Sequence, residues 1–557
     1  MKKITFFLIT LLTFSCSSIK FSNDYLTSLP NTSKLNFADG IKKNWHNLDL
    51  EKDSVPGMSV ERAYKELVKD LKAKKVIVAV IDAGIDTNHE DLTNLIWVND
   101  KEIPNNLIDD DKNGYIDDIN GWNFLGESYN ETLEMTRIIR DSLNNNRRYN
   151  SAIDNINIKK GIAERNFEYY KEITEDYKKS TNHISNYLGK DKFSKLDLAN
   201  IKSNDSTLLK SIDLLTYFDS LDIDLDYLEE GVEYFSDQIN YHYNTNFNGR
   251  SIVGDNIYDI RDVSYGDSRV QHSKSTESHG THVSGIIGGI RNNSIGSNGV
   301  NNNLEIMAIR AVPNGDEYDK DIALGIRYAV DNGARIINMS FGKSYSTNPE
   351  WVIDAIKYAA QNNVLIVHAA GNETEDLDIN SNENYPNDQY LGKTEFSNNF
   401  INVGASTINY NENIVASFSN FGQNNVDIFA PGYDIYSLMP DNKYDFQSGT
   451  SMAAPALTGV ASMVLSYFPW LSAAKLKEII LESGIEIDFN VTISGKKNIP
   501  FKSLSQTGKI VNAYNALILA SRSKRKWLLQ FRLTSLFANW PHAASMSFPL
   551  DLLTVTV

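Results

Sequence analysis

The 557-residue chain carries 71 acidic and 54 basic side chains, a formal net charge of −17, and 41% of its residues are apolar. That apolar fraction excludes a wholly disordered chain, and the length predicts roughly two to four domains or one large domain with insertions. The acidic surplus excludes a general nucleic-acid binder, which needs basic side chains to displace phosphate counterions. The single cysteine excludes an intramolecular disulfide framework and a thiolate metal cluster.

At the N-terminus, Lys2 and Lys3 precede an apolar run from Ile4 to Phe14, followed by Ser15, Cys16, Ser17 and Ser18. The run has the length of a signal-peptide core and falls short of the ~20 apolar residues that cross a bilayer. A cysteine directly after a small residue resembles a bacterial lipoprotein signal. Thr13 stands three places before Cys16, where leucine is usual, with Leu12 one step earlier. The expectation is an exported bacterial protein with 1–16 as its signal. Cys16 would carry the lipid that anchors it in the cell envelope, at the outer membrane or cell surface. An ordinary cleaved secretory signal is the alternative. Residues 17–43 read as a linker.

From Asn44 the composition turns globular. Val76-Ile77-Val78-Ala79-Val80-Ile81 is an unbroken apolar run, the pattern of a parallel strand covered on both faces. Similar runs recur at Ile306–Ala311, Ile336–Met339, Val364–Ala369 and Ile401–Val403, and helical patterns such as Asp321–Asn332 and Pro349–Asn362 lie between them. This alternation predicts an α/β fold with a doubly wound, mostly parallel sheet, assembled from residues 44–124 and 246–520. Residues 125–245 break the rhythm. Phe167, Tyr170, Ile173, Tyr177, Ile184 and Leu188 recur at helical spacing in an Asn-, Lys- and Glu-rich stretch, which predicts a helical insertion. The tail, 521–557, has a basic knot at Lys524-Arg525-Lys526 and no periodicity.

Three segments carry chemistry. Asp82 ends the first predicted strand, where α/β folds place their ligand sites. His279-Gly280-Thr281-His282 opens a small-residue helix; its two histidines lack the glutamate and the four-residue spacing of a zincin. Gly449-Thr450-Ser451-Met452-Ala453-Ala454-Pro455 is a second glycine-led turn into a helix. A serine hydroxyl needs a base within hydrogen-bond reach, itself held by a third group. Asp82, His279 and Ser451 supply those roles in the order Asp, His, Ser. The α/β-hydrolase order is Ser, Asp, His, and Ala453 replaces the second glycine of a nucleophile elbow.

With Asp82-Ala83-Gly84-Ile85-Asp86, these segments resemble the three active-site signatures of subtilisin-like serine proteases, the subtilases. Ala83 departs from the Ser or Thr usual there. The resemblance covers 44–124 and 246–520 and leaves out the insertion and the tail. It implies a serine endopeptidase acting on protein or peptide. Asn372, in Ala370-Gly371-Asn372, would be the oxyanion-hole donor, and Ser340, Phe341 and Gly342 would line the substrate. In subtilisin, losing the oxyanion-hole amide costs about 10²–10³ in turnover.

The remaining motif is Asp109-Asp110-Asp111-Lys112-Asn113-Gly114-Tyr115-Ile116-Asp117-Asp118. Oxygen ligands at alternate positions with glycine at the sixth are how an EF-hand-type loop wraps calcium. Asp109, Asp111, Asn113, the Tyr115 carbonyl and Asp117 or Asp118 would hold a structural calcium ion; Asn120 stands where that loop has its bidentate glutamate. Two other classes compete with the protease: a catalytically silent subtilase-fold peptide-binding protein, and an esterase. A monomer is expected, with the insertion bordering the active-site edge as a gate for substrate.

Overall fold

The run Val76–Asp82 (β1) is buried except for Ile77, and its alternate residues enter different cores. Val78 and Val80 join one cluster, Ala79 and Ile81 the other. A strand covered on both faces needs apolar side chains at every position, which is why the run does not alternate with polar residues. The computed structural model describes residues 21, 23–27, 37–221, 223–274, 276–389 and 394–523.

Three short helices, α1 (Asp39–Asn44), α2 (Leu50–Asp53) and α3 (Val60–Ala63), precede β1. The other strands are β2 (Gly121–Asn123), β3 (Leu304–Arg310), β4 (Ile336–Met339), β5 (Leu365–Ala369), β6 (Phe400–Ser406), β7 (Ile428–Pro431), β8 (Ile435–Met439), β9 (Lys443–Gln447), β10 (Ile485–Glu486), β11 (Asn490–Ile493), β12 (Lys496–Pro500) and β13 (Lys509–Ile510). Nine form one sheet in the order β10-β13-β7-β6-β5-β4-β1-β3-β2, with β8–β9 and β11–β12 as separate pairs. Within the sheet only β10–β13 is antiparallel. The α/β, mostly parallel expectation therefore describes the molecule. Strand order reverses at β1, which lies between β3 and β4, and such a switch point opens a crevice at the carboxyl ends of the strands. Asp82 is in register with Arg310 of β3.

Helices α9 (His279–Gly288), α12 (Thr450–Tyr467), α13 (Ala473–Ser483) and α14 (Ala513–Arg522) pack on one face of the sheet, and α10 (Asp319–Asp331) and α11 (Pro349–Gln361) on the other. Between β2 and α9 lie α4 (Glu134–Arg140), α5 (Tyr149–Leu188), α6 (Lys195–Ala199), α7 (Ser206–Ser220) and α8 (Leu225–Asp237). The starts of α6, α7 and α8 are capped by side chains: Ser194 and Asp197 form a capping box, and Asp205 and Asp224 accept from first-turn amides. Ile184, Leu198, Leu208 and Leu215 make a core of their own at the far end of this arm. Its root lies at the bridge Asn123↔Asp267, wider than the 125–245 read from periodicity. The stretch after the helices is irregular and is fastened by charge: Arg250 pairs with Asp255 at 2.7 Å and with Asp321 of α10. Such a stretch leaves no periodic trace.

The segment read as a linker is fastened too. Leu26 is buried, its N–H donating to Asn515 Oδ1 at 2.8 Å and its carbonyl accepting from Asn515 Nδ2 at 3.0 Å. Phe21 meets Phe468 edge-on, with centroids 6.4 Å apart. Cys16 with its signal, and the tail from 524 onward, lie outside the described residues. Among the described residues no helix is long and apolar enough to cross a membrane.

Candidate active site

β1 delivers Asp82 to the crevice and α9 begins with His279 directly above it. The helix can come this close because its second residue is glycine: a Cβ on Gly280 would meet the Ala83 carbonyl at 2.6 Å. His279 Nδ1 lies 2.7 Å from Asp82 Oδ1, which also accepts from the Ala83 N–H at 2.7 Å. Asp82 is 1% exposed, whereas the His279 side chain keeps 38% of its surface open to water. Burial lowers the His279 pKa, but the Asp82 charge and hydrogen bond outweigh it, so the ring is held above its ordinary value of 6.5. His282, one turn on, is buried and pushed down to about 3 by desolvation; its Nε2 lies 3.2 Å from the Asp445 carbonyl, which makes it a packing residue rather than a metal ligand.

Ser451 sits in the first turn of α12, where backbone N–H groups have no intrahelical acceptor and the helix dipole is positive. Its Oγ donates to the Ser340 carbonyl at 3.0 Å rather than to His279. Ser340 Oγ in turn donates to the Ser451 carbonyl at 2.9 Å. That carbonyl is available because the residue four places on is Pro455, which has no N–H to give it. Asn338 Nδ2 donates to Ser340 Oγ, and Thr458 Oγ1 donates to Asn338 Oδ1, both at 2.9 Å, so the end of β4 and the start of α12 are laced together.

Asn372 lies in the turn after β5. Gly371 there has φ +101°, and a Cβ on it would meet Asn420 Nδ2 at 2.4 Å. Asn372 Oδ1 accepts from the Thr450 N–H at 2.9 Å and from Thr450 Oγ1 at 3.0 Å. Thr450 Oγ1 itself accepts from the Gly371 N–H at 3.0 Å. The chain of donors fixes the amide with Oδ1 on Thr450 and Nδ2 beside Gly449, where a Cβ would lie 3.5 Å from it. Ser340 and Phe341 are buried, while Gly342 is exposed beside Asn384.

Two residues that sequence reading passed over hold the acid–base side. Glu277 accepts from the Gly84 N–H at 2.8 Å and pairs with Arg310 Nε at 2.7 Å; both side chains are buried. Burial raises the Glu277 pKa, but hydrogen bonding and charge from Arg310 bring it below its ordinary value. Glu277 stands two places before His279 and Arg310 is in register with Asp82, so this ion pair joins the histidine helix to the aspartate strand. Only proximity to the two motifs marks them in sequence.

In the acidic loop the converging carboxylates are Glu102, Asp109 and Asp111, whose oxygens lie within 4.8 Å of one another. Three carboxylates so close repel unless a cation lies among them, and oxygen donors suit calcium. Glu102 comes from outside the loop and was not foreseen. Asp117 turns away, accepting from the Asn106 and Leu107 N–H groups at 3.2 and 3.0 Å. Asp118 accepts from Asn99, Asn113 and Tyr328 and, mainly through desolvation, is raised to about 6. The Asn113 Oδ1 accepts from the Tyr115 N–H at 2.8 Å, and the Tyr115 ring packs on Trp122, Phe124 and Tyr328.

Residues 73–502 match the model of the subtilase family. The cell wall-associated protease of Bacillus subtilis is 34% identical over 232 residues, covering 42% of this chain and 24% of that protein. A thermophilic serine proteinase of Bacillus sp. is 39% identical over 189 residues, covering 34% and 42%. The chain thus spans less than half the length of these relatives. A solved protease of Pseudoalteromonas arctica is 25% identical, covering 46% of this chain and 78% of that one at a TM-score of 0.37. The family match takes in β1, α9, the Asn372 turn and α12 together, and by it the chain belongs to the subtilase family.

Proposed function

We propose that the chain is an exported serine endopeptidase that cleaves protein or peptide substrates. The observation that carries this reading is the 2.7 Å contact between Asp82 and a partly open His279, with Ser451 in the first turn of α12, the helix packed against α9. Ser451 Oγ leaves the Ser340 carbonyl and attacks the scissile carbonyl carbon while His279 Nε2 takes its proton. The negative oxygen is received by Asn372 Nδ2 and the positive end of α12. His279 then protonates the departing amine, and water repeats the cycle on the acyl-enzyme; Asp82 fixes the tautomer and steadies the imidazolium. Ser340–Gly342 borders the bound chain, whose backbone would pair with that edge. A fluorophosphonate probe should label the wild-type protein and spare Ser451→Ala. Full labelling of Ser451→Ala would sink the assignment.

Calcium bound by Glu102, Asp109 and Asp111 would neutralise their repulsion and stabilise the native loop. At a hundredfold excess over Kd such binding adds about 2.7 kcal/mol. Chelation should lower the thermal midpoint in the wild type and leave it unmoved in Asp111→Ala. Export agrees with the cell-wall association of the Bacillus subtilis protease. Anchoring rests on the sequence around Cys16: Cys16→Ser should shift the protein from the membrane fraction to the soluble one, and identical partitioning would favour an ordinary secreted enzyme.

A further inference from the structure

The arm stands on the two chain segments that leave the carboxyl ends of β3 and β4, which border the crevice. Its first foot is on 314–317. The Glu131 N–H donates to the Asn314 carbonyl at 2.9 Å, and the Asn314 N–H donates to the Tyr129 carbonyl at 2.8 Å. Asn314 Nδ2 donates to Asp237 Oδ2 at the end of α8 at 2.7 Å, and Arg137 of α4 donates to the carbonyls of Asp316 and Glu317, each at 2.8 Å. The second foot is on 344–345, just beyond Gly342. Arg148 donates to the Ser344 carbonyl at 2.6 Å and lies 4.2 Å from the Tyr345 ring centroid, and Asn155 donates to Tyr345 Oη at 2.7 Å. Lys343 ties the feet together from below, its buried Nζ 3.2 Å from Glu134 and 2.9 Å from Asp319.

From these feet α5 rises for 40 residues, about 60 Å at 1.5 Å each. α8 returns beside it so closely that a Cβ on Gly231 would meet the Tyr170 ring at 2.3 Å. Other residues of the arm reach further rims of the crevice. Tyr129 Oη lies 3.5 Å from Thr276 Oγ1, three residues before His279, and Lys274 sits 4.1 Å from the Tyr129 ring centroid. Lys159 and Arg148 act electrostatically on Glu375, three residues past Asn372. Asp445 of β9, six residues before Ser451, acts on Glu230 of α8. The arm therefore meets the loop of His279 through Tyr129 and, through Arg147 and Arg148 paired with Glu383, the segment that follows Asn372.

We propose that the arm roofs the crevice, so that the enzyme accepts single extended chains and excludes loops displayed on folded domains. This deepens the endopeptidase reading and rests on it. An extended strand needs a slot about 5 Å by 10 Å, the spacings of strands within and between sheets. A folded domain presenting a loop must instead bring its whole surface against the rims, where the arm stands. The roof faces the β8–β9 hairpin with Glu230 opposite Asp445, two like charges, so it overhangs the hairpin without an ion pair between them.

The test uses one cleavable sequence in two settings, as a free linear peptide and as a loop on a stable folded carrier, with a tripeptide anilide as control. The full chain should cut the carrier loop on the order of a hundredfold more slowly than the peptide. Replacing 167–233 with a short linker, which keeps both feet and Phe235, should bring the two rates together and leave anilide turnover unchanged. Equal rates in the full chain, or undiminished discrimination after trimming, overturns the proposal. A second measurement does not need the trimmed chain to fold. In a Cys16→Ser background, Glu230→Cys and Asp445→Cys should be joined by a short bis-maleimide. Complete labelling of both cysteines without a cross-link also overturns the roof. Loss of anilide turnover in the unmodified chain would instead count against the endopeptidase reading, which the cross-link does not depend on.

Discussion

The two halves of the proposed reaction centre are held by different forces. The acid–base half is fastened by buried charge: Asp82 to His279, and Glu277 to Arg310. The nucleophile half is fastened by neutral hydrogen bonds alone, among Ser340, Ser451, Asn338, Thr450 and Asn372. Charge-assisted bonds are about twice as strong as neutral ones, and fixing the tautomer of a base requires that stiffness. In the proposed reaction the Ser451 hydroxyl swings from Ser340 to His279 and then to a carbonyl carbon, which requires the opposite. One half is built to stay and the other to move.

The contrast breaks most visibly at Asp82. Asp82→Asn removes the charge that raises His279, and kcat should fall by about 10⁴. Because the base must be neutral, activity climbs as pH passes upward through the His279 pKa; without the Asp82 charge that limb should move to lower pH. A pH–rate profile checks both. Asn372→Ala should lower kcat by about 10²–10³ with little change in KM and no movement of the limb, because no titrating group is altered. Glu277→Gln keeps an acceptor for the Gly84 N–H but leaves Arg310 buried without its counter-charge. Activity should fall by about 30-fold through misplacement of the base, again with the limb in place. A shifted limb in that variant would mean that Glu277 acts on His279 by charge rather than by position. The smallest effect is expected from Thr450→Val, which removes the hydroxyl between Gly371 and Asn372 but keeps the backbone donor to Asn372 Oδ1. Of the two neutral hydrogen bonds lost, the one to Asn372 Oδ1 holds the amide directly, and its loss predicts a fall of about fivefold in kcat.

Much of this arrangement is legible in the sequence because the residues that approach one another closely sit in short glycine-flanked motifs. Gly280, Gly371 and Gly449 mark the turns that carry His279, Asn372 and Ser451, and the apolar runs mark the strands that aim them. What is not legible depends on distance along the chain. Arg310 meets Glu277 across 33 residues, and Glu102 joins Asp109 and Asp111 from outside the acidic repeat. The polar segment before Asn44 resembles a linker because its partners, Asn515 and Phe468, lie nearly at the other end of the sequence. Periodicity reports the arm's helices, while the feet of the arm are loops and ion pairs, which have no period.

The docking of Phe21 on Phe468 sets a polarity for the catalytic domain. Ser451 is the second residue of α12 and Phe468 the residue just past its end, so a rise of 17 residues, about 26 Å, separates them. The segment around Phe21 is clasped at the pole opposite the crevice. A surface holding this chain by residues before Phe21 would find the reaction centre turned outward, at the far end of the domain from its tether.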